Sequence, residues 1–214
     1  MAIRGGPDIS EQGLVLYLDA GNTRSYPGSG TIWFDLSSNK YNATLTNPLF
    51  DNSAIGNFVM SSTRYATVSL PTTIVLNTGF AYCVWARATT LSSYQTLIDW
   101  PNDSMFFGTN STSLITYNPI INTGFTLSTN LWYHLCISRM SGNAPIIFYV
   151  NGSPVFTSAN NSGAPGTTTI SIGHGNGGET WVGNIAVVQI YRNISITSDV
   201  ILQNFNAQRS RFGL

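Results

Sequence analysis

Asp99-Trp-Pro-Asn-Asp103 is where this 214-residue chain places its densest set of hard oxygen donors. Asp99, Asn102 and Asp103 on one loop would suit Ca²⁺, which takes six to eight oxygen ligands. Pro, Asn and Asp are also the residues of an ordinary turn, and the turn is the simpler reading. Trp100, Tyr117 and Trp181 carry ring faces able to stack on sugars wherever they reach the surface. His174 lies in Gly173-His-Gly-Asn-Gly-Gly178, a run that lacks the Lys and the strand–helix setting of a phosphate-binding loop. It reads as a rim loop whose glycines serve the backbone. Asp99, Trp100, Asn102, Asp103, Tyr117, His174 and Trp181 are thus the candidate ligand-binding residues, for a glycan or a calcium ion at the rim of the fold. No cofactor is expected otherwise.

Catalytic chemistry finds little to work with. Retaining glycoside hydrolysis needs two carboxyl groups about 5–5.5 Å apart. The glutamates are Glu11, near the terminus, and Glu179, in the Gly-rich loop. The histidines are His134 and His174, and only His174 lies outside a strand pattern. A non-enzyme without catalytic residues is expected.

The composition narrows the partners. Charged residues make up 8% of the chain, against roughly 25% in ordinary globular proteins. Nine basic and nine acidic residues cancel, and no basic cluster is present to neutralise phosphates, which argues against nucleic acid. A surface of Ser, Thr, Asn and Gly with so little charge resists association poorly, and a subunit packed into a larger assembly is expected. No stretch approaches the roughly 18 apolar residues of a membrane span. Met1–Asp8 has no apolar h-region, so no secretory signal is read there. On that ground Cys83 and Cys136, both inside apolar strand patterns, are expected as buried free thiols in a reducing cytoplasm.

The elements that would position these residues are strands. Leu131–Ile137 is apolar or aromatic almost throughout, as befits a strand covered on both faces in the middle of a sheet. Asn151-Gly152 follows the apolar run 146–150; both residues tolerate φ > 0, which predicts a type I′ hairpin pairing Ile146–Val150 with Val155–Thr157. Further strands are read at 13–19, with Leu14, Leu16 and Leu18 on one face, and at 65–70, 96–100, 168–172 and 184–191. In Gly79–Arg87, Phe80, Tyr82 and Val84 face one way and Cys83 and Trp85 the other. Short strands at 105–107, 114–117 and 124–127 complete the spacing of a sandwich. Thr197-Ser-Asp199 can cap one short helix with Val200, Ile201 and Phe205 on one side. The chain divides into an N-terminal arm, 1–12, and a single β-sandwich domain, 13–214.

Trp132-Tyr-His-Leu-Cys-Ile-Ser-Arg139 and Phe148-Tyr-Val-Asn-Gly152 resemble the core hairpin of laminin-G-like domains in the concanavalin A-like lectin/glucanase superfamily. The resemblance implies an all-β, two-sheet antiparallel jelly roll, here with a short C-terminal helix. It matches His134 to the family's packed, hydrogen-bonded strand histidine, and Asp99 to the region where some relatives bind calcium. Its hydrolases carry Glu-x-Asp-x-x-Glu, which this chain lacks. Trp33, Trp85 and Trp132 fall in strand patterns and are expected in the core. The openings Leu16-Tyr-Leu-Asp-Ala-Gly-Asn22, Ser25–Gly30 and Trp33-Phe-Asp-Leu-Ser37, with the closings Asn204–Ala207 and Arg211–Gly213, are similar to laminin-G-like proteins encoded by marine tailed bacteriophages. Ser38-Asn39-Lys40 and Asn42-Ala43-Thr44 depart mildly from that pattern. This implies a structural protein of the virion, a capsid decoration or knob subunit on the exterior, synthesised in the host cytoplasm. Its partners would be the major capsid protein or neighbouring subunits, and a homo-oligomer is expected. The alternative is a tail- or fibre-associated lectin with a carbohydrate partner.

Overall fold

The computed structural model describes residues 8–71, 78–100, 105–117, 120–141, 144–160, 168–175, 177–192 and 196–214. Its strands run β1 (Leu14–Asp19), β2 (Ile32–Trp33), β3 (Ala43–Thr46), β4 (Phe50–Asp51), β5 (Asn57–Met60), β6 (Tyr65–Ser69), β7 (Thr78–Ala88) and β8 (Tyr94–Trp100). They continue as β9 (Met105–Asn110), β10 (Ser113–Tyr117), β11 (Ile121–Thr126), β12 (Tyr133–Ser141), β13 (Pro145–Val150), β14 (Ser153–Asn160), β15 (Thr169–Ile172) and β16 (Gly183–Arg192). A helix, α1 (Ser198–Gln208), and a 3-10 turn, Arg209–Phe212, close the chain.

Two antiparallel sheets pack face to face. One has the order β14-β13-β12-β7-β16-β5-β4, with β1 also paired to β16; the other has the order β11-β10-β9-β8-β15-β6-β3-β2. β12 lies between β7 and β13, so the run read at 131–137 supplies a central strand, but that strand begins at Tyr133 and leaves Leu131 exposed ahead of it. Along β7, alternation sends Phe80, Tyr82 and Val84 into the space between the sheets, while Cys83 and Trp85 face outward under the C-terminal segment. Trp33 and Trp85 are core residues, and Trp132 packs on the C-terminal layer.

The central hairpin forms as its turn residues require. Asn151 and Gly152 adopt φ of 51° and 78°, and Val150 pairs with Ser153. The Asn151 carboxamide oxygen accepts from the His134 backbone N–H at 3.0 Å, tying the turn to β12. Replacing Asn151-Gly152 with Val-Val puts β-branched residues where φ is positive and is expected to cost about 1–3 kcal/mol. An unchanged urea midpoint for that variant would contradict this account of the turn.

Three sequence expectations are corrected. A bulge between Leu14 and Leu16 turns Leu14 away from Leu16 and Leu18, so it packs against the outer cluster rather than the inner core. Cys83 and Cys136 are joined in a disulfide: the register of β7 and β12 sets them directly opposite, a pairing that separate strand assignments do not disclose. Thr197 is the N-cap of α1, but its side chain makes no capping hydrogen bond.

The sandwich is closed on its outer side by residues 196–214. The side chains of Ile201, Asn204, Phe205 and Gln208 face the sheet. Phe212 stacks on Trp85 with centroids 3.9 Å apart and planes 5° off parallel, and the Trp85 indole N–H donates to Gln208 Oε1 at 2.8 Å. Of the arm, residues 1–7 lie outside the described residues. The rest rests on its own chain: the Ser10 N–H donates to Asn204 Oδ1 at 2.9 Å, and Gln203 Nε2 donates to the Asp8 carbonyl at 2.7 Å.

Candidate functional site

The candidate site is built on β8. Tyr94 and Thr96 alternate outward, and a bulge between Thr96 and Ile98 then sends Leu97 and Ile98 both inward. That extra residue returns Asp99 to the outward side. Gly108 sits across from the bulge, where an added Cβ would meet the Gln95 carbonyl oxygen. Alanine there is expected to break the β8–β9 register and lower the melting temperature, whereas Gly124→Ala, in open space, strains only its own backbone.

On this face Tyr94, Thr96, Asp99, Phe106, Ile120, Gly175 and Glu179 line a pocket of about 300 Å³. Tyr94 and Phe106 meet edge to face at 6.3 Å and supply apolar ring surface. Thr96 and Asp99 are buried at its floor, at 1% and 2% exposure. The Thr96 hydroxyl has no hydrogen-bond partner among the described residues.

The Gly-rich turn supplies the opposite wall. The Gly175 N–H donates to the Glu179 carbonyl at 2.7 Å, folding Glu179 back over the loop. A Cβ on Gly175 would stand 2.8 Å from Glu179 Oε2 and 2.7 Å from Thr96 Oγ1, and one on Gly177 would stand 2.5 Å from Glu179 Oε1. The absence of a Cβ at Gly175 and Gly177 makes room for the Glu179 carboxylate.

The other sequence candidates scatter. Trp100 and Trp181 are each 1% exposed and belong to the inner core, so they cannot stack on a ligand. The strand alternation that turns Asp99 outward turns Trp100 inward, against the Tyr82 ring at 4.5 Å. His174 is half-buried, bridged to Thr180 and packed on Tyr65 at 4.8 Å, beside the pocket wall rather than in it. Tyr117 ends β10, and its side chain lies outside the described residues, as do Asn102 and Asp103 with any calcium arrangement they would form. Tyr94, Thr96, Phe106, Ile120 and Glu179 were not anticipated as ligand contacts. The alternation Tyr94-x-Thr96 was the available signal.

His134 is fully buried, 3.5 Å from the Cys136 sulfur and packed on Trp85 at 5.0 Å, and burial holds its pKa down at about 3. With Cys83 and Cys136 it forms the one cluster of three potential metal donors among the described residues, but the disulfide engages both sulfurs. A larger groove of about 930 Å³ runs past Ile9, Tyr17, Arg24, Lys40 and Gln208. It mixes both charge signs, and Tyr17 is the one aromatic residue among the described residues that line it.

Residues 61–201 match the Laminin_G_3 family, described as concanavalin A-like lectin/glucanases superfamily. The binding domain of Paraclostridial Mosquitocidal Protein 1 shares the fold with a TM-score of 0.72 at 16% identity over an alignment covering 92% of this chain. Domain 4 of a GH43 extracellular arabinanase from Geobacillus stearothermophilus, solved in complex with arabinotriose, gives 0.70 at 16% identity, again covering 92% of this chain. The botulinum neurotoxin serotype D/C VPI 5993 binding domain gives 0.68 at 20% identity and covers 91%. The match spans 52% of the mosquitocidal and neurotoxin chains and 100% of the arabinanase domain. At these identities the likeness is one of fold. No curated protein sequence matches.

Proposed function

Because the chain belongs to the concanavalin A-like lectin/glucanases superfamily, we propose that it is a non-catalytic carbohydrate-binding module, carried on the exterior of a tailed-phage particle, where it adsorbs to host glycan. The observation that carries the binding reading is the pocket on the outward face of β8 and β9. It pairs two aromatic rings with an unpartnered buried hydroxyl and two carboxylates. Saccharides have apolar ring faces edged by hydroxyl groups, and such a wall offers stacking surface and acceptors for both. Arabinotriose in the arabinanase domain supports the same reading by analogy of fold.

Asp99 and Glu179 do come to one pocket, a juxtaposition the sequence did not reveal. They arise from a strand and a loop turn, not from the i, i+2 positions of one strand that the hydrolase pattern uses. Binding without turnover is the expected outcome: the protein retains immobilised oligosaccharide on a glycan array and releases no reducing sugar from β-glucan, alginate or host envelope polysaccharide. Turnover abolished by Glu179→Gln would overturn the non-enzymatic reading. Tyr94→Ala removes a partly exposed ring and is expected to weaken glycan binding about tenfold, roughly 1.4 kcal/mol. Unaltered affinity in titration calorimetry would exclude this pocket.

The virion setting rests on the similarity of the opening and closing segments to phage-encoded relatives and on the 8% charged composition, which favours packing among neighbouring subunits. A capsid decoration subunit contacting the major capsid protein as a homo-oligomer fits both, and a tail or fibre lectin fits the pocket equally. Cryo-electron microscopy of purified particles distinguishes them. Absence of the protein from particles would remove both.

A further inference from the structure

Between Arg87 and Arg192 the chain carries one basic residue, Arg139, and three acidic ones, Asp99, Asp103 and Glu179. Arg139 lies inside the sandwich, 1% exposed, its guanidinium 5.0 Å from the Phe80 ring centroid. Every residue lining the pocket falls within that span, and no Lys or Arg is among the described residues on its walls. Glu179 on the wall, with Asp99 at the floor, gives the pocket acidic groups and no basic one among its described residues. A ligand carrying a carboxylate would bring further negative charge beside Glu179 between apolar ring walls, where like charges repel more strongly than in water.

The geometry at Gly175 refines this. Thr96 Oγ1 and Glu179 Oε2 both come within 3 Å of the point where a Gly175 Cβ would stand, at 2.7 and 2.8 Å. A hydroxyl with no partner among the described residues and a carboxylate oxygen therefore stand no farther apart than those two distances combined, on one wall of the pocket. An ammonium group has three donors and no acceptor, and it matches two adjacent acceptor oxygens. A charge-assisted hydrogen bond to the carboxylate is roughly twice as strong as a neutral one. We infer that the pocket selects a cationic amino sugar: a hexosamine residue with its free ammonium between Glu179 and Thr96 and its ring against Tyr94 and Phe106. The N-acetylated sugar loses both the charge and the ammonium donors, and uronic and sialic acids are rejected by charge.

This inference rests on the carbohydrate-binding reading, and the test separates the two. Calorimetry at mildly acidic pH compares a glucosamine tetramer, its N-acetylated counterpart and a galacturonate tetramer. The expected order is glucosamine at least tenfold tighter than N-acetylglucosamine, with no measurable binding of galacturonate. The preference should shrink as salt rises. Glu179→Gln, nearly isosteric, should bring the two glucosamine ligands to near-equal affinity, with circular dichroism confirming the fold. If the N-acetylated or the uronate oligomer binds as tightly as the amine, the inference fails while the module remains a carbohydrate binder. If no saccharide binds here or on a glycan array, both readings fall.

Discussion

Arg211→Ala is expected to lower the unfolding free energy by about 3 kcal/mol, a large fraction of the roughly 5–15 kcal/mol of a natural domain. Arg211 Nη1 donates to Asp19 Oδ1 at 2.7 Å and to Oδ2 at 2.9 Å, while Nε donates to the Ile55 carbonyl at 2.7 Å. The side chains are 23% and 8% exposed, so the guanidinium is only partly screened, and removing it leaves the Asp19 carboxylate buried with fewer donors. The Tyr17 hydroxyl and the Gly21 N–H would still reach Asp19, which keeps the loss below the figure for a fully buried pair. Gly21 stands where a Cβ would meet the Ile55 carbonyl oxygen and the Arg211 guanidinium, so the loop can close only over glycine. Arg211→Lys retains the charge without the planar fork and should recover about half the loss. A urea midpoint for Arg211→Ala within experimental error of the parent would show that the C-terminal segment does not hold the sandwich.

That ion pair also explains why the two ends of the sequence carry matched motifs. Asp19 belongs to the opening Leu16-Tyr-Leu-Asp-Ala-Gly-Asn22, and Arg211 to the closing Arg211-Phe-Gly213. The fold brings them together across 192 positions of sequence. Their resemblance to a family was legible; their contact was not, because no local pattern encodes which distant strand a residue will face. The turn of the central hairpin was legible to the residue, since Asn151-Gly152 supplies its own φ requirement, but the partner strand runs from Ser153 to Asn160 rather than over 155–157 alone. Strands β3, β4 and β5 were missed: β4 has two residues, and β5, Asn57–Met60, is buried nearly throughout and shows no alternation, while the alternating Ala43–Thr46 of β3 was passed over. The Leu14 and Thr96 bulges break strict alternation, and the first inverts a side chain that the period-2 rule had placed with Leu16 and Leu18. The second bulge hid the pocket. Asp99, read as a candidate site residue, lines the pocket, but Glu179 across from it comes from a turn more than 70 positions away, folded back by glycines rather than by any recognisable pattern.

Asp35→Ala should be the most damaging single substitution, at about 4 kcal/mol. Asp35 is 2% exposed, in the motif Trp33-Phe-Asp-Leu-Ser37, and its carboxylate organises the loop between β2 and β3. Oδ1 accepts from the Tyr17 N–H at 2.8 Å and the Ser37 N–H at 2.9 Å; Oδ2 accepts from the Tyr41 N–H at 2.8 Å and the Ser37 hydroxyl at 2.7 Å. Alanine strands three backbone N–H groups in or near the interior, each worth roughly 1–3 kcal/mol when unsatisfied, and water reaching the edge of the loop offsets part of the sum. The Tyr17 bond matters most, because it joins the loop to β1 and so to the sheet that carries Asp19. Asp35→Asn keeps one acceptor oxygen and turns the other into a donor facing donors, so it should lose about half as much as alanine. Ser37→Ala removes one hydroxyl donor and should cost about 1 kcal/mol. The ordering alanine, asparagine, then Ser37→Ala in chemical denaturation is the check. An Asp35→Asn variant as stable as the parent would mean that the carboxylate is not what holds this loop to β1.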